Sequence, residues 1–388
     1  MTPVPMGVLP EVCVGNQFDV VVVGAGIVGL SAALAAVNKG KRVAVLDRGA
    51  KAIGASIRNF GFVTITGQQA GAHWERAMRS RDIWLQVAEQ AGIDVIHRGL
   101  LLPARREEAV DVLHAFHATP MGHACHMVTL EEAAHMVPSL RMDDVREILY
   151  SPHEIRVESV QAIPRIAAWL AERHDVSFHW NTAVHAIDGH RVETSRGVVH
   201  AETIVVCPGD DLSTLFPERI GQYGLQICTL QMLRLAANSA QAQLGAAVMS
   251  DMSLARYEGF DALPEARALA RRLDEEERES REAGIHLIVV QSADGSLVVG
   301  DSHVYGPSQE PFARTRFDEL ILDEFDRIFD LPRRKVIQRW TGSYVSASDR
   351  TVLIDKAADH IRLVMVTGGT GASTGFALGE QAIAGWYS

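Results

Sequence analysis

The sequence predicts a two-domain α/β protein, a Rossmann-like unit of parallel strands joined to a sheet-rich second domain. Three observations carry this expectation. The apolar run Phe18 to Val23 leads into Gly24-Ala25-Gly26-Ile27-Val28-Gly29 and then a small-residue stretch, Leu30 to Lys39, which reads as strand, turn and helix. A second strand, Arg42 to Leu46, ends in Asp47, at the spacing where a carboxylate meets an adenosine ribose. Near the far end, the strand Ile361 to Val366 runs into Gly368-Gly369-Thr370-Gly371 and a closing helix.

In the first turn, Gly24 permits the tight bend, Gly26 lets a pyrophosphate approach the backbone, and Gly29 lets the helix close on its strand. A dinucleotide diphosphate would then meet the positive end of the helix dipole. Along the chain, helices are predicted over 80–91, 107–116, 129–136 and 160–173, with Pro164 tolerable in the first turn of the last. Strands are predicted over 95–102, 148–150, 176–180, 184–187, 191–194, 197–200 and 203–207, the last closed by Pro208-Gly209. A long strand over 225–235 precedes a charged helix over 264–283, whose run Asp274 to Glu279 reads as a solvated face. Strands over 285–291 and 296–300, a helix over 316–329, strands over 335–344, 352–355 and 361–366, and the helix 371–386 complete the chain. The expected division is a discontinuous cofactor domain (18–80, 151–215 and 335–388), a second domain (81–150 and 216–334) and a tail, 1–17.

Composition suits a soluble enzyme: 388 residues, 47% hydrophobic and 22% charged, allow two cores of ordinary globular character. A net charge of −11 disfavours non-specific binding to nucleic acid or acidic membrane, though not an anionic substrate held by local donors. Cys13, Cys125, Cys207 and Cys228 show neither disulfide nor metal spacing, which suits a reducing compartment. Without a basic segment and apolar core at the start, or a stretch of membrane-spanning length, the cytoplasm is expected. No metal site is expected, because histidines such as His123 and His126 lack acidic or thiol partners at ligand spacing. Oligomeric state is not legible.

The layout resembles the D-amino acid oxidase superfamily, with its glutathione-reductase-type fold, from Asp19 to the end. Its motifs here are the first glycine turn with Asp47, the loop Gly54-Ala55-Ser56-Ile57-Arg58-Asn59-Phe60-Gly61, the strand end Val205-Val206-Cys207-Pro208-Gly209, the stretch Ser296 to Asp301, and Thr367 to Gly371. The resemblance implies FAD and a sheet-rich substrate domain. It also implies that the C-terminal helix points its N-terminus at the pyrimidine end of the isoalloxazine, with amides from Gly369 through Thr370, Gly371, Ala372 and Ser373 to Thr374 as candidates. The other implied cofactor contacts are Gly24, Ala25, Gly26, Ile27, Val28, Gly29, Asp47, Arg48, Ser56, Arg58, Asn59, Val184, Pro208, Gly209 and Gly342.

Three stretches, Gly54 to Gly67, Leu225 to Arg234 and Gly300 to Gly306, are similar to a narrower group, the FAD-dependent oxidoreductases of bacterial aminophosphonate catabolism. That resemblance implies 2-aminoethylphosphonate or an N-methyl or hydroxy relative as substrate. One departure from the wider family bears on it. Glycine-oxidase-type members carry an arginine in a G-x-R-x-x-x-x-D pattern for the substrate carboxylate, and here Gly342-Ser343-Tyr344 through Asp349 puts Tyr344 at that position. The lysine that sarcosine-oxidase-type members add aligns with Gly375, so a planar carboxylate loses both anchors. A tetrahedral anion could be met by single donors instead: Tyr344, His303, Arg58, Tyr257, Arg256, Thr374 and His286 are the candidates. Each has a plainer reading, His286 as core, Arg256 as a solvated lid residue, and Arg58 as a cofactor contact.

The implied chemistry is hydride transfer from an amine to flavin N5, imine hydrolysis, and reoxidation of the flavin by O2, with small anionic amine substrates and no nucleic-acid or membrane partner. The cysteine that tethers FAD in sarcosine-oxidase-type members aligns with Gly342, and no cysteine follows Cys228, so FAD is expected to be non-covalent. Three alternatives stay open: a glycine or sarcosine oxidase, an FAD-linked 2-hydroxy acid dehydrogenase, and a non-catalytic flavin-binding subunit.

Overall fold

The computed structural model describes residues 17–236 and 242–387, folded around two sheets. The tail expected over 1–17 lies outside these residues except for Gln17, which opens the first strand.

The eight-stranded sheet has a parallel core. Gln17–Val23 pairs with Val43–Leu46 on one side and Gly197–Val206 on the other, and Ile361–Val366 and Ser177–His179 continue it in parallel. The central runs, Gln17–Val23, Val43–Leu46 and Ile361–Val366, are mostly apolar because both faces are covered, as a parallel sheet demands. The segments 197–200 and 203–207 form the single strand Gly197–Val206; only its last residues join the parallel core, and its first pair antiparallel with Arg191–Thr194.

Helix Ile27–Val37 leaves the glycine turn, and the terminal helix Gly371–Ala384 packs directly on it. The approach depends on absent side chains: a Cβ at Gly379 would lie 2.5 Å from the Ser31 carbonyl carbon. Two helices of distant sequence thus start side by side, with Gly371 close to Ile27. Helix Ala72–Ala91 braces the second of them, since Trp84 Nε1 donates to the Ala372 carbonyl at 2.8 Å.

The ten-stranded sheet runs from Phe62–Val63 through Glu147–Val157, Val95–Ala104, Ala247–Met249, Ile288–Gln291 and Leu297–Gly300 to Gln226–Ala236. The last of these pairs with Lys335–Ser346 along its length, and Val304–Gly306 and His126–Val128 complete the sheet. The expected domain boundaries at 151 and 335 therefore cut across this sheet: Glu147–Val157 and Lys335–Ser346 both belong to it. Lys335–Ser346 delivers the chain back to the first sheet, so its C-terminal half stands between the two.

The charged helix expected over 264–283 is broken at Glu277 into Ala266–Glu276 and Arg278–Glu282. The reason is electrostatic. Glu277 is drawn inward to Arg106 and Arg327, and is not solvated like its neighbours in the run. Sequence patterning also misses the short strands Phe62–Val63, His126–Val128 and Ala247–Met249, which are too brief to show a period. Among the described residues, no helix is long and apolar enough to cross a membrane.

Candidate active site

A cavity of about 910 Å³ runs between the sheets, from the first glycine turn to the C-terminal half of Lys335–Ser346. At one end the glycine turn leaves no room for side chains. A Cβ on Gly29 would sit 1.8 Å from the Gly24 carbonyl oxygen, and Gly24, at φ +102°, adopts a backbone conformation that L residues avoid. Asp47 holds this turn, accepting from Ala25 N and Gly49 N at 2.8 Å each. Ser56 Oγ accepts from Ile27 N at 2.9 Å, which places a hydroxyl on the helix N-terminus where a phosphate would bind.

The far end is anchored as firmly. Thr64 N donates to Ser373 Oγ at 2.9 Å, and Trp84 holds Ala372. The first-turn amides after Gly369 face the cavity as the start of an α-helix whose dipole favours negative charge.

Most expected cofactor residues line the cavity: Gly24, Gly26, Ile27, Val28, Gly29, Asp47, Arg48, Ser56, Arg58, Asn59, Val184, Pro208, Gly209, Gly342 and Gly369 to Ser373. Two do not. Ala25 is buried with its amide spent on Asp47, and Thr374 is fully buried with its hydroxyl on the Thr370 carbonyl at 2.9 Å, which removes it from the substrate candidates as well. Arg48 is engaged by Asp211 at 2.6 Å, and Asn59 braces its own loop, bonding Ala55, Gly61 and Ser159. These two side chains shape the cavity wall and are already partnered.

Five of the six remaining substrate candidates converge, and the sixth, Arg58, lines the cavity. Tyr344 projects from its strand opposite Cys228, and its hydroxyl would lie 3.5 Å from a Cβ on Gly369. From there an array of rings runs to His303 (centroids 6.3 Å apart), to His286 (5.4 Å) and to Tyr257 (5.3 Å). Arg256, a substrate candidate whose plainer reading is a solvated lid residue, lines the cavity, its Nη2 donating to the Tyr305 hydroxyl at 3.2 Å. The cause is local. The turn Asp251–Ala255 is buried and carries Arg256 inward, and Phe260 plugs the core just beyond. Burial works against its charge, but Tyr305, Tyr344 and Asp301 outweigh it and hold the guanidinium protonated.

Asp301 was not singled out from sequence and sits at the centre. Its carboxyl is buried, 3.5 Å from His286 Nε2 and 3.6 Å from His303 Nε2, and burial pushes its pKa up to about 7 against the pull of Arg256. Burial holds both imidazoles neutral, well below the usual histidine range, with Arg256 adding to the effect. The available signal was a carboxylate ending the apolar strand Leu297–Gly300, two residues before His303. His286, Asp301 and His303 bring ligand atoms within 4.8 Å of one another, which raises the question of a metal where none was expected. The two imidazole planes lie 22° from parallel with centroids 5.4 Å apart, and both rings turn Nε2 toward Asp301.

Residues 19–384 match the family model described as FAD dependent oxidoreductase (DAO). The chain belongs to this family of FAD-dependent oxidoreductases. The glycine oxidase of Geobacillus kaustophilus (strain HTA426) is 26% identical over 208 residues, a match spanning 50% of this chain and 55% of that enzyme. Its crystal structure superposes over 95% of this chain and 94% of its own at TM-score 0.74, with 18% identity. An L-proline dehydrogenase from P. horikoshii (TM-score 0.76, 19% identity, 96% and 93% coverage) shares the fold. So does a dithionite-reduced L-alpha-glycerophosphate oxidase from Mycoplasma pneumoniae with FAD bound (0.73, 16%, 95% and 94%). The cofactor is FAD, and the cavity fits it: a glycine cradle that any Cβ would fill lies at one end and a second helix N-terminus at the other.

Proposed function

We propose that this family member oxidises a small amine bearing a tetrahedral anion, 2-aminoethylphosphonate or an N-methyl or hydroxy relative. The observation that carries the reading is the donor set at the inner end of the cavity. Tyr344 stands where a carboxylate-clamping arginine is expected, while the charge comes from Arg256, flanked by Tyr305 and followed in the chain by Tyr257, which also lines the cavity. Donors that arrive from several directions suit three tetrahedral oxygens better than one planar carboxylate. The glycine oxidase similarity supports amine oxidation in general, and a glycine- or sarcosine-type substrate is the second reading it favours.

Bound FAD supplies the hydride acceptor. Gly24 to Gly29 with Ser56 and Asp47 would hold its diphosphate and ribose end, and the helix beginning at Gly371 its pyrimidine end. On the protein side, Arg256, Tyr305 and Tyr344 orient the anion, and the packed rings of His286, His303 and Tyr257 keep water from the reacting amine. The imine product is released to hydrolysis, giving phosphonoacetaldehyde from 2-aminoethylphosphonate, with O2 as the proposed final acceptor and the cytoplasm as the proposed location.

Anaerobic bleaching of the flavin tests this, with 2-aminoethylphosphonate, its N-methyl and 1-hydroxy forms, sarcosine, glycine and lactate offered separately. Bleaching by the phosphonates alone is expected. Bleaching by glycine or sarcosine but not the phosphonates would move the protein to the second reading, and bleaching by lactate alone would make it a hydroxy acid dehydrogenase.

A further inference from the structure

One buried oxygen of Asp301 is left without a donor among the described residues. His303 Nδ1 lies 2.9 Å from the Gly284 carbonyl, which can only accept, so the proton of this neutral ring sits on Nδ1 and Nε2 carries a lone pair. That lone pair faces an oxygen of Asp301 at 3.6 Å. The ring therefore offers no N–H to the carboxylate. His286 Nε2 lies 3.5 Å from Asp301 Oδ1, outside hydrogen-bond contact, and its Nδ1 rests on Ser253 Oγ at 3.2 Å, a hydroxyl that donates as well as accepts. Asp301 Oδ1 is buried and, among the described residues, has no hydrogen-bond partner. Such an atom is costly to leave unsatisfied, and it lines the cavity.

The groups facing Asp301 are His286 and His303, Arg256 from the turn after Ala255, Tyr257 beside it, and Cys228 from the neighbouring strand. Of these only Arg256 is charged at neutral pH; its Nη2 donates to Tyr305, and among the described residues none of its N–H groups reaches Asp301 Oδ1. What Asp301 Oδ1 lacks is a donor in contact with it. An ammonium group has three N–H bonds and a positive charge.

We propose that Asp301, with His286 and His303, receives the ammonium group of the substrate, and that Asp301 Oδ1 takes the proton that must leave before the amine can be oxidised. The step is a proton transfer and needs no oxidant. The N–H bond breaks, an O–H bond forms on the carboxylate, and the nitrogen keeps the electron pair that later becomes the C=N bond as the α C–H leaves as hydride to FAD. The proton passes to solvent through the cavity mouth after imine release. Burial sets the carboxyl pKa near 7, where a base both exists at neutral pH and is strong enough to compete for the proton. The inference rests on the proposed function only in taking an amine as substrate.

The test is anaerobic stopped-flow reduction of the holoenzyme by saturating 2-aminoethylphosphonate from pH 6 to 9.5, for the wild type and Asp301→Asn. In the wild type the rate should climb tenfold per pH unit below about 7 and level off above it. In Asp301→Asn, deprotonation falls back on the amine itself, which titrates at about 10. The variant should therefore run about 10²- to 10³-fold slower at pH 7 and close the gap tenfold per unit up to pH 9, with Asp301→Glu restoring the plateau. Equal profiles, or a drop uniform in pH, would overturn the proposal, as would a stoichiometric metal in the purified holoenzyme. If Asp301→Asn fails to hold FAD, the wild type decides alone, and a rate rising without a break to pH 9.5 refutes the base. Should only glycine or sarcosine bleach the flavin, the phosphonate reading fails and the same profile with that amine still judges Asp301. If no amine bleaches it, both fall.

Discussion

Replacing Asp301 by asparagine should make the protein more stable, and increasingly so as pH rises. The carboxyl is 5% exposed and its pKa is raised to about 7 from 3.8, with burial as the main cause and Arg256 opposing it. Between these two values the folded state keeps a proton that the unfolded state has released, so stability falls as pH rises through this window and the loss is complete above pH 7. A shift of about 3 units corresponds to about 4 kcal/mol, of which about 3 kcal/mol falls between pH 5 and pH 8. His286 and His303, held neutral when folded, act with the opposite sign below pH 6.5. The comparison of wild type with Asp301→Asn removes most of their contribution. Unfolding of a chain this long carries an entropy near 0.8 kcal/mol/K, so the melting-temperature difference between variant and wild type should widen by about 4 °C from pH 5 to pH 8. Paired thermal melts of the two holoproteins with excess FAD measure it. A difference that stays flat across that range would show that the carboxyl is ionised at its ordinary pH and is solvated or paired in a way the buried geometry does not provide.

Four further outcomes are expected. Gly29→Val places a side chain on the Gly24 carbonyl, so the purified protein should carry no flavin absorbance near 450 nm while Ser213→Ala, outside the turn, retains it. Tyr344→Phe should raise KM for the phosphonate about fivefold, the worth of one neutral hydrogen bond, with flavin content intact; unchanged kinetics would remove Tyr344 from the site. Arg256→Leu should weaken the same substrate by about 10- to 100-fold, and the apparent kinetic pKa should rise because the cation that opposes Asp301 protonation is gone. Acid precipitation should leave a clear pellet and a yellow supernatant; a yellow pellet would mean that the flavin is tethered.

What the sequence shows plainly and what it hides divide along a physical line. Gly24 to Gly29, Asp47 and Gly368 to Gly371 were legible because backbone geometry dictates them: a strand, a turn without side chains and a helix start are local, and glycine spacing records them directly. Their meeting is also half-visible, since Gly375 and Gly379 on the last helix leave room for Ile27 and Ser31 on the first. Arg256 reads from the sequence both as a substrate candidate and as a solvated lid residue, and only the fold chooses between them. What turns it inward is the buried turn Asp251–Ala255, and burial of a five-residue turn leaves no period in the sequence. Asp301 was passed over for a related reason. Its significance lies in the absence of a donor, and that absence exists only once Gly284, Ser253, His286 and His303, drawn from three separate segments, are assembled around it. The charged stretch at Glu277 errs in the same sense: the run of acids promised solvent, yet Arg106 and Arg327 come from 50 or more residues away to break the helix there. Cofactor sites made of backbone are therefore readable in one dimension, whereas a substrate site made of unsatisfied charge becomes visible only when the partners that fail to arrive can be counted.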